Sequence, residues 1–367
     1  MIGAENTGIK AQNAQDRDVK LDRTLSVAPM MDWTDRHCRY FLRGFSTSVL
    51  LYSEMITAEA LLRGDAARLL KFSADEQPLA LQLGGSDPER LAAAATLGEK
   101  AGYREINLNC GCPSDRVHSG AFGACLMAEP ERVADCVRAL CEAVAVPVTV
   151  KMRIGVLTGR GVTIRDRLAE FGTADYVALQ GFTAAVRDAG AAAVIVHARQ
   201  AVLGGLSPKE NRDVPPLRPE VVQRLKRDFP QLPMILNGGL RNADQAHAAL
   251  SWCEGAMLGR EAYHRPDVLW EFEECGHPGK RERPSESALL ARMADYADRE
   301  CAAGEPLAVI VRHMLGLLSG RPGARAFRQF VSEGARSSSA NGDLLRKAQR
   351  FVLPAVESQV VAALQAE

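Results

Sequence analysis

The chain has 367 residues, with 45 Lys or Arg against 45 Asp or Glu, so its formal net charge is zero. Apolar residues make up 47% and charged residues 25%, which are ordinary globular values and exclude collagen-like, coiled-coil and wholly disordered chains. The length suggests about two domains, or one large α/β barrel with a smaller addition. The neutral balance by itself argues against a polyanionic partner, although a total can hide a local basic surface.

Residues 1–23 are polar and have no apolar stretch of the kind found in a signal peptide, so we expect a flexible leader. No apolar run beyond them approaches the ~18 residues of a membrane span. The nine cysteines lack the spacing of a secreted scaffold, and Cys110 and Cys112 lack the second pair that a zinc site needs. We therefore expect a cytoplasmic monomer without a membrane segment or a metal.

From residue 24 onward, short apolar runs alternate with longer helical patterns, which predicts βα units and a parallel sheet. Eight runs have the character of strands: 25–30, 49–54, 79–83, 105–109, 148–152, 193–197, 234–237 and 255–258. Helical patterns between them include 87–100, 131–143, 173–189, 219–228 and 242–251, with Asp87 and Asn242 as N-caps. Eight such units favour a TIM barrel, which we assign to residues 24–275.

The predicted strands end at polar or reactive residues. In a closed parallel barrel the carboxyl ends of all strands meet at one face, where catalytic residues lie. One or two polar ends would mean little, but a full set favours a functional site. The set includes Glu54, Gln82, Asn107, Asn109, Lys151, Arg153, His197, Asn237 and Arg260.

Beyond residue 275 the pattern changes. The charged stretch 277–284 contains prolines and is typical of a linker. We therefore predict a second, smaller all-α domain over residues 285–367. Its helical patterns cover 285–302, 306–319, 323–332 and 343–364, the last interrupted at Pro354.

Glycines at two strand ends predict a phosphate site. Asn237, Gly238 and Gly239 follow the seventh strand, and Gly259 and Arg260 follow the eighth. In TIM barrels these two loops often hold a phosphate through backbone N–H groups and a helix N-terminus. No G-x-G-x-x-G follows the first strand, so a Rossmann site is not expected. Together with the polar strand ends, this suggests flavin mononucleotide (FMN).

Four strand-end side chains could contact such a flavin. Lys151 could place its ammonium beside the N1/O2 edge of the ring, and Gln82 and Asn109 could bond the polar edge. His197 could face a ribityl or phosphate oxygen. For Lys151, a Schiff-base nucleophile and a buried salt-bridge partner remain open, because spacing alone does not separate the three roles.

The loop after the fourth strand presents a thiol. Cys112 lies between Gly111 and Pro113, just after two strand-end asparagines. A thiol with the ordinary pKa of about 8.5 is mostly protonated at neutral pH and can act as a general acid. As a nucleophile it would need a nearby histidine, for which His118 and His197 are candidates. A purely structural loop cysteine is the third interpretation.

Motifs in a fixed order along the chain resemble those of the tRNA-dihydrouridine synthase family. They run from about residue 25 to residue 331, and a Ser-Pro-Lys-Glu-Asn-Arg block within them is characteristic of the A subfamily. The matching segments are 28–35 (APMMDWTD), 107–117 (NLNCGCPSDRV), 122–127 (FGACLM), 150–155 (VKMRIG), 197–199 (HAR), 205–212 (GLSPKENR) and 237–239 (NGG).

The resemblance implies an FMN enzyme that uses NADPH to reduce uridine to 5,6-dihydrouridine in the D-loop of tRNA, around uridine 20/20a. The hydride would pass from the flavin to C6 of uracil, and Cys112, which aligns with the family's proton donor, would protonate C5. Asn109 matches the residue that holds the flipped uracil. The flavin ligands implied by position are Pro29, Met30, Met31, Gln82, Lys151, His197, Asn237, Gly238, Gly239, Gly259 and Arg260.

A basic region in the helical part agrees with an RNA partner. Residues 312–350 contain eight basic residues against two acidic ones, and Arg321, Arg325 and Arg328 have the spacing of one helix face. The resemblance implies that Arg325 and Arg328 contact tRNA, while Glu210 and Asp213 lie in the subfamily's tRNA signature. Without the resemblance, a merely solvated basic face would be favoured.

Two features depart from the family pattern. Residues 155–172 are extra sequence near the catalytic end of the fifth strand, and His118 stands where Gln is commoner. Two other functions stay open. One is a reductase of free pyrimidines of the dihydroorotate dehydrogenase type, with the barrel and FMN but without the basic helices. The other is a tRNA-binding protein without chemistry.

Overall fold

The computed structural model describes residues 21–114, 122–159, 162–280 and 282–352. Most of the strands in this part of the chain form one parallel sheet. In chain order the strands are β1 Leu25–Val27, β2 Leu51–Tyr52, β3 Ile56–Thr57, β4 Leu79–Gly84, β5 Glu105–Cys110, β6 Val148–Arg153, β7 Val156–Thr158, β8 Ala193–His197, β9 Ala201–Leu203, β10 Met234–Asn237 and β11 Gly255–Leu258.

The sheet closes on itself. Its strands follow the order β1-β11-β10-β8-β6-β5-β4-β2, and every pairing is parallel. A bridge between Ser26 and Leu50 brings the two ends of this order together, and the backbone N–H of Val27 donates to the carbonyl of Leu50 at 3.0 Å. β3 pairs with β4, and β7 with β9 in a separate small sheet. The predicted TIM barrel is therefore confirmed.

Helices surround the barrel and continue after it. Those of the barrel region are α1 Arg36–Leu42, α2 Ala58–Arg63, α3 Ala66–Leu69, α4 Pro88–Ala101, α5 Pro130–Ala143, α6 Val162–Ala169, α7 Thr173–Asp188, α8 Glu210–Asp213, α9 Pro219–Asp228, α10 Ala243–Ala249, α11 Arg260–His264 and α12 Asp267–Gly276. Those that follow are α13 Glu286–Ala302, α14 Leu307–Val311, α15 Ala324–Gly334 and α16 Asp343–Ala348. None of the described helices is long and apolar enough to cross a membrane.

The helix α4 illustrates how the sequence places these elements. The side chain of Asp87 accepts from the backbone N–H of Arg90, and Pro88 fills the first turn, where no N–H is needed. Gly102 ends the helix in the left-handed conformation at φ +103°. Asn242 likewise caps α10 by accepting from the N–H of Gln245, so both predicted N-caps are confirmed.

Apolar side chains fill two layers. The larger layer lies between the strands and the surrounding helices. The smaller one lies inside the barrel and consists of Ala28, Leu50, Tyr52, Ala80, Ala193, Ile195, Ile235 and Met257. Because this inner cluster is small, the rest of the interior is available to polar side chains.

The helices after the barrel pack on it through α1. Tyr296 of α13 stacks on Tyr40 with ring centroids 4.0 Å apart. Arg36 donates to Glu300 and, at 2.8 Å, to Glu305. The segment 35–42 therefore joins the amino-terminal part of the barrel to the helices.

Several element bounds differ from the prediction. β1 ends at Val27, because the chain then turns so that the N–H of Met30 donates to Oγ1 of Thr34 at 2.9 Å. Residues 306–319 were predicted as one helix, but α14 ends at Val311 and a 3₁₀ turn, Arg312–Met314, follows. The predicted final helix falls partly outside the described residues, since only α16 and a short 3₁₀ turn precede residue 353.

The predicted face of three arginines is wrong for Arg321. The helix α15 begins at Ala324, after Gly323 at φ +86°, so Arg321 lies outside it. Arg321 instead forms an ion pair with Glu286 at 2.8 Å. Only Arg325 and Arg328 remain on the helix.

The extra sequence at 155–172 forms structure where it is described. β7 and α6 contribute Leu157, Ile164 and Leu168 to a small apolar cluster with Val202 of β9. Arg218 donates to the carbonyl oxygens at the end of α6. This layer therefore packs beside the segment that leads into α8.

Candidate active site

The predicted site residues gather at the carboxyl ends of the barrel strands. Asn109 and Lys151 are register partners on β5 and β6, and His197 and Asn237 are partners on β8 and β10. Gln82 joins this group because Nδ2 of Asn109 donates to its Oε1 at 2.8 Å. Five strands or strand ends thus converge on one mouth.

A buried carboxylate anchors a chain of hydrogen bonds inside the barrel. Glu105, at the start of β5, accepts from Nε of Arg23, from the hydroxyl of Tyr52 and from Oγ1 of Thr149, each at 2.6 Å. Its side chain has no exposed surface. Three donors satisfy the carboxylate, and their hydrogen bonds offset the free-energy cost of removing it from water.

The chain continues from this carboxylate towards the mouth. Nδ2 of Asn107 donates to Oγ1 of Thr149 at 2.9 Å, and Nε2 of Gln82 donates to Oδ1 of Asn107 at 2.7 Å. The bond from Asn109 to Gln82 then completes it. We call Glu105, Thr149, Asn107, Gln82 and Asn109 the polar column; it holds the amides of the predicted site in one orientation.

The polar column ends at the predicted thiol. Oδ1 of Asn109 accepts from the backbone N–H groups of Gly111 and Cys112 at 3.1 and 3.0 Å. The carbonyl of Cys112 accepts from the N–H of Ala124 at 2.9 Å, and its half-buried Sγ lies 3.5 Å from Oγ of Ser114. Asn109, predicted as a substrate contact, therefore also fixes the cysteine loop.

Lys151 is bonded to a neutral amide. Its Nζ donates to Oδ1 of Asn237 at 3.0 Å, and Nδ2 of Asn237 donates to the carbonyl of Met257. Burial, with a further contribution from Arg153, lowers the pKa of Lys151 to about 7. The observed partner is an amide and not the carboxylate of the salt-bridge alternative.

Two glycines after β10 leave no room for side chains, whereas the glycine after β11 adjoins open space. Gly238 has φ +104°, and a Cβ there would lie 2.5 Å from Cδ2 of His197. Gly239 has φ +77°, and a Cβ there would lie 2.4 Å from Leu217. A Cβ on Gly259 would meet nothing within 4 Å, so open space adjoins this turn. The three glycines form what we call the glycine cradle.

His197 adjoins the cradle as a neutral ring. Burial, together with the charges of Arg153 and Lys151, holds the pKa of His197 well below its ordinary value. A neutral imidazole offers one N–H donor and one acceptor nitrogen to a ligand.

The turn after β1 borders the mouth. Pro29 and Met30 are half-buried, and Met30 packs against the inner apolar cluster. Met31 is 55% exposed, and Asp32 has a positive φ of 66°. The predicted flavin ligands of this turn therefore present backbone and apolar side chains beside the other site residues.

A residue predicted to bind the flavin phosphate forms an ion pair with a residue predicted to contact tRNA. Nη2 of Arg260, predicted for a phosphate, lies 2.9 Å from Oδ1 of Asp213, predicted for tRNA. Both side chains are about half exposed. Glu210 accepts from the N–H and the hydroxyl of Ser207, which fixes the start of α8.

Arg153 was predicted only as a polar strand end, without a specific role in the site. Its Nε donates to the carbonyl of Gly111 at 2.9 Å, and its Nη1 donates to the carbonyls of Gln200 and Asn211 at 3.2 and 3.0 Å. Burial lowers its pKa to about 10. Arg153 thus ties the cysteine loop to the segment that carries α8.

The two RNA contacts predicted for the helical part lie on α15, far along the chain from the mouth residues. Arg325 and Arg328 are exposed on α15, and Phe327 between them is buried. Neither arginine forms an ion pair with any residue that the structure describes. His118 falls outside the described residues.

A closed parallel barrel that gathers a buried ammonium, a half-buried thiol and a glycine cradle at its strand ends has the architecture of TIM-barrel enzymes. A family model described as "Dihydrouridine synthase (Dus)" matches residues 26–353. The chain belongs to the dihydrouridine synthase family, which makes it an oxidoreductase and confirms the resemblance of its motifs.

Similar proteins cover most of the chain. A protein of Xanthomonas campestris pv. campestris is 51% identical over 89% of this chain and 92% of its own length. One of Pseudomonas putida is 52% identical over 84% and 88%, and one of Escherichia coli is 47% identical over 91% and 93%. Each of the three is named a tRNA-dihydrouridine(20/20a) synthase.

Proposed function

We propose that this protein reduces uridine to 5,6-dihydrouridine in the D-loop of tRNA, around uridine 20/20a, with FMN as cofactor and NADPH as reductant. The observation that carries this proposal is the thiol of Cys112, which Asn109 fixes at the barrel mouth, in a chain of the dihydrouridine synthase family. The names of the relatives support the substrate class and the position of the uridine.

The donors at the mouth fit FMN. The glycine cradle offers a close backbone approach for a phosphate, since a Cβ on Gly238 would collide with His197, while Gly259 faces open space. Lys151, buried and half-protonated near neutral pH, would gain charge beside an anionic ligand. Pro29, Met30, Met31, Gln82, His197, Asn237, Gly239 and Arg260 complete the proposed flavin site.

When bound, FMN supplies the hydride that reaches C6 of the uracil. Cys112 then donates its thiol proton to C5, so that the carbanion formed at C5 becomes a C–H bond and the sulfur becomes a thiolate. Lys151 and Arg153 lie close enough to interact electrostatically with that thiolate. A proton from solvent restores the thiol, and the net reaction consumes NADPH and one proton for each uridine.

The barrel and the helical part of the chain have different roles in this reaction. The barrel, residues 24–275, holds the flavin and the uracil, which must leave the base stack to reach the mouth. Residues 285–367 would bind the tRNA body through Arg325 and Arg328, whose charges are exposed. Glu210 and Asp213 would contact tRNA beside the mouth.

The test is NADPH oxidation by the purified protein with two substrates. We expect dihydrouridine to form when tRNA lacking the modification is supplied, and no turnover with free uracil. The reverse result would establish a reductase of free pyrimidines. A colourless protein that binds tRNA but takes up no FMN would establish RNA binding without chemistry.

A further inference from the structure

One carboxyl group at the mouth is not satisfied. Glu54 lies two residues beyond β2 and is half-buried, and its Oε1 is shielded from solvent without a hydrogen-bond partner among the described residues. Other buried carboxylates are well paired, since Glu105 accepts three bonds and Glu76 accepts from Arg39 and Ser73. A buried acceptor without a hydrogen bond raises the free energy of the folded state. A ligand that bonds to Glu54 would therefore stabilise the protein.

The surroundings of Glu54 favour its neutral form. Burial, together with the negative charges of Asp35 and Asp32 and against the positive charge of Arg39, raises the pKa of Glu54 to about 7. Near neutral pH a large fraction of Glu54 therefore carries a proton, and a carboxylic acid can donate through its O–H. The titratable and charged groups that face it are Asp32, Asp35, Cys38, Arg39 and Arg312.

Glu54 lies between two segments of the proposed flavin site. Asp32, which directly follows Met31, lies close enough for its backbone N–H and its charge to influence the carboxyl group of Glu54. On the other side, the N–H of Gln82 donates to Oγ of the adjacent Ser53 at 3.0 Å. A ligand that contacts both Met31 and Gln82 would therefore pass close to Glu54.

We propose that Glu54, in its protonated form, donates a hydrogen bond to an acceptor atom of the bound flavin ring. This inference rests on the proposed function, because it requires FMN at the barrel mouth. Its consequence is that FMN binding and the proton on Glu54 stabilise each other. Deprotonation leaves a carboxylate facing the acceptor, which weakens binding.

The experiment is an FMN titration of the full-length chain freed of flavin, followed by flavin fluorescence between pH 6 and 9. For the wild type we expect the Kd to increase about tenfold per pH unit above the pKa of Glu54, for as long as the bound form keeps its proton. Glu54→Gln keeps a neutral donor at every pH, so its Kd lacks this rise. Phosphate ionisation near pH 6 and the titration of Lys151 are common to both proteins and cancel in the ratio of the two Kd values.

A second variant guards against misfolding of the first. Asp32→Asn removes a neighbouring negative charge from an exposed position, and Asn accepts a positive φ. We expect the rise in Kd to persist and to begin at a lower pH. An unshifted profile in Asp32→Asn, or equal pH dependence in wild type and Glu54→Gln, would overturn the role of Glu54. Absence of FMN binding by the wild type at any pH would instead overturn the proposed function.

Discussion

The barrel mouth and the exposed face of α15 use charge in opposite ways. At the mouth, Lys151 is buried and bonded to an amide, so the fold sets both its position and its protonation. On α15, Arg325 and Arg328 stand in solvent, and nothing in the described part of the chain neutralises them. Other arginines of the same region are paired, as Arg346 is with three aspartates. Charge at the mouth is therefore positioned by the fold, whereas the charge on α15 stays available to the polyanionic partner that we propose.

The largest effect is expected from removing the thiol. In Cys112→Ala, dihydrouridine formation should fall by about 10³-fold, within the range of a lost general acid. Flavin content, reduction of the flavin by NADPH and tRNA affinity should stay unchanged, because the Asn109 contacts use the backbone of residue 112. Single-turnover assays with bound tRNA measure this. Full product yield would show that the proton comes from another group.

The glycine cradle tests how far the fold fixes the mouth. In Gly238→Ala the new Cβ would collide with His197 at a strained φ, so we expect a loss of about 1–3 kcal/mol in the free energy of unfolding and of most FMN affinity. Gly259→Ala is the matched control, since its Cβ meets no protein atom. It should weaken FMN binding while leaving the flavin-free protein as stable as the wild type. Equal losses of stability in both variants would contradict the close contact between Gly238 and His197.

Substitutions on the exposed face of α15 should weaken tRNA binding and leave flavin binding unchanged. Arg325→Ala combined with Arg328→Ala should weaken tRNA binding about 10- to 100-fold and flatten its dependence on log salt by about one unit per lost phosphate contact. FMN content should not change. Arg346→Ala is the control, because three aspartates already neutralise that charge. If Arg346→Ala weakens tRNA binding as much as the double variant does, the comparison between free and paired arginines fails.

A smaller effect should reveal the burial of Lys151 in the flavin-free protein. An unfolded lysine has a pKa of about 10.4, whereas the folded value is about 7. Between these values the unfolded chain binds a proton that the folded chain does not, so the free energy of unfolding rises with pH. Relative to Lys151→Met, the wild type should therefore gain a few degrees in Tm from pH 7 to pH 9. A constant difference would show that Lys151 keeps its proton when folded.

Much of the fold could be predicted from the sequence, because its signals are local. The alternation of apolar runs and helical patterns identified all eight barrel strands, and caps such as Asp87 and Asn242 stood where helices begin. Strand and helix ends were less predictable, since they depend on contacts between distant residues. The helix predicted over 306–319 stops where Arg312 and His313 reach Asp35, a residue nearly 280 positions earlier.

The candidate site shows the same limit. Position at a strand end was enough to single out Lys151, His197 and Asn237. The triple contact of Arg153 and the pairing of Arg260 with Asp213 depend on loops that meet only in the folded chain. The spacing of Glu105, Asn107 and Asn109 did contain a signal, because alternate residues of a strand share one face.

The polar column has a consequence for how the barrel is assembled. Sliding β5 by two residues against its neighbours would keep the same side chains pointing inward and would bury a similar apolar area. It would, however, separate Glu105 from Tyr52 and Thr149, and Asn107 from Gln82, and leave several buried polar groups unpaired. Apolar packing alone tolerates more than one stagger of the strands, but the column accepts only one. The same hydrogen bonds that aim Asn109 at the thiol loop therefore select a single alignment of the strands during folding.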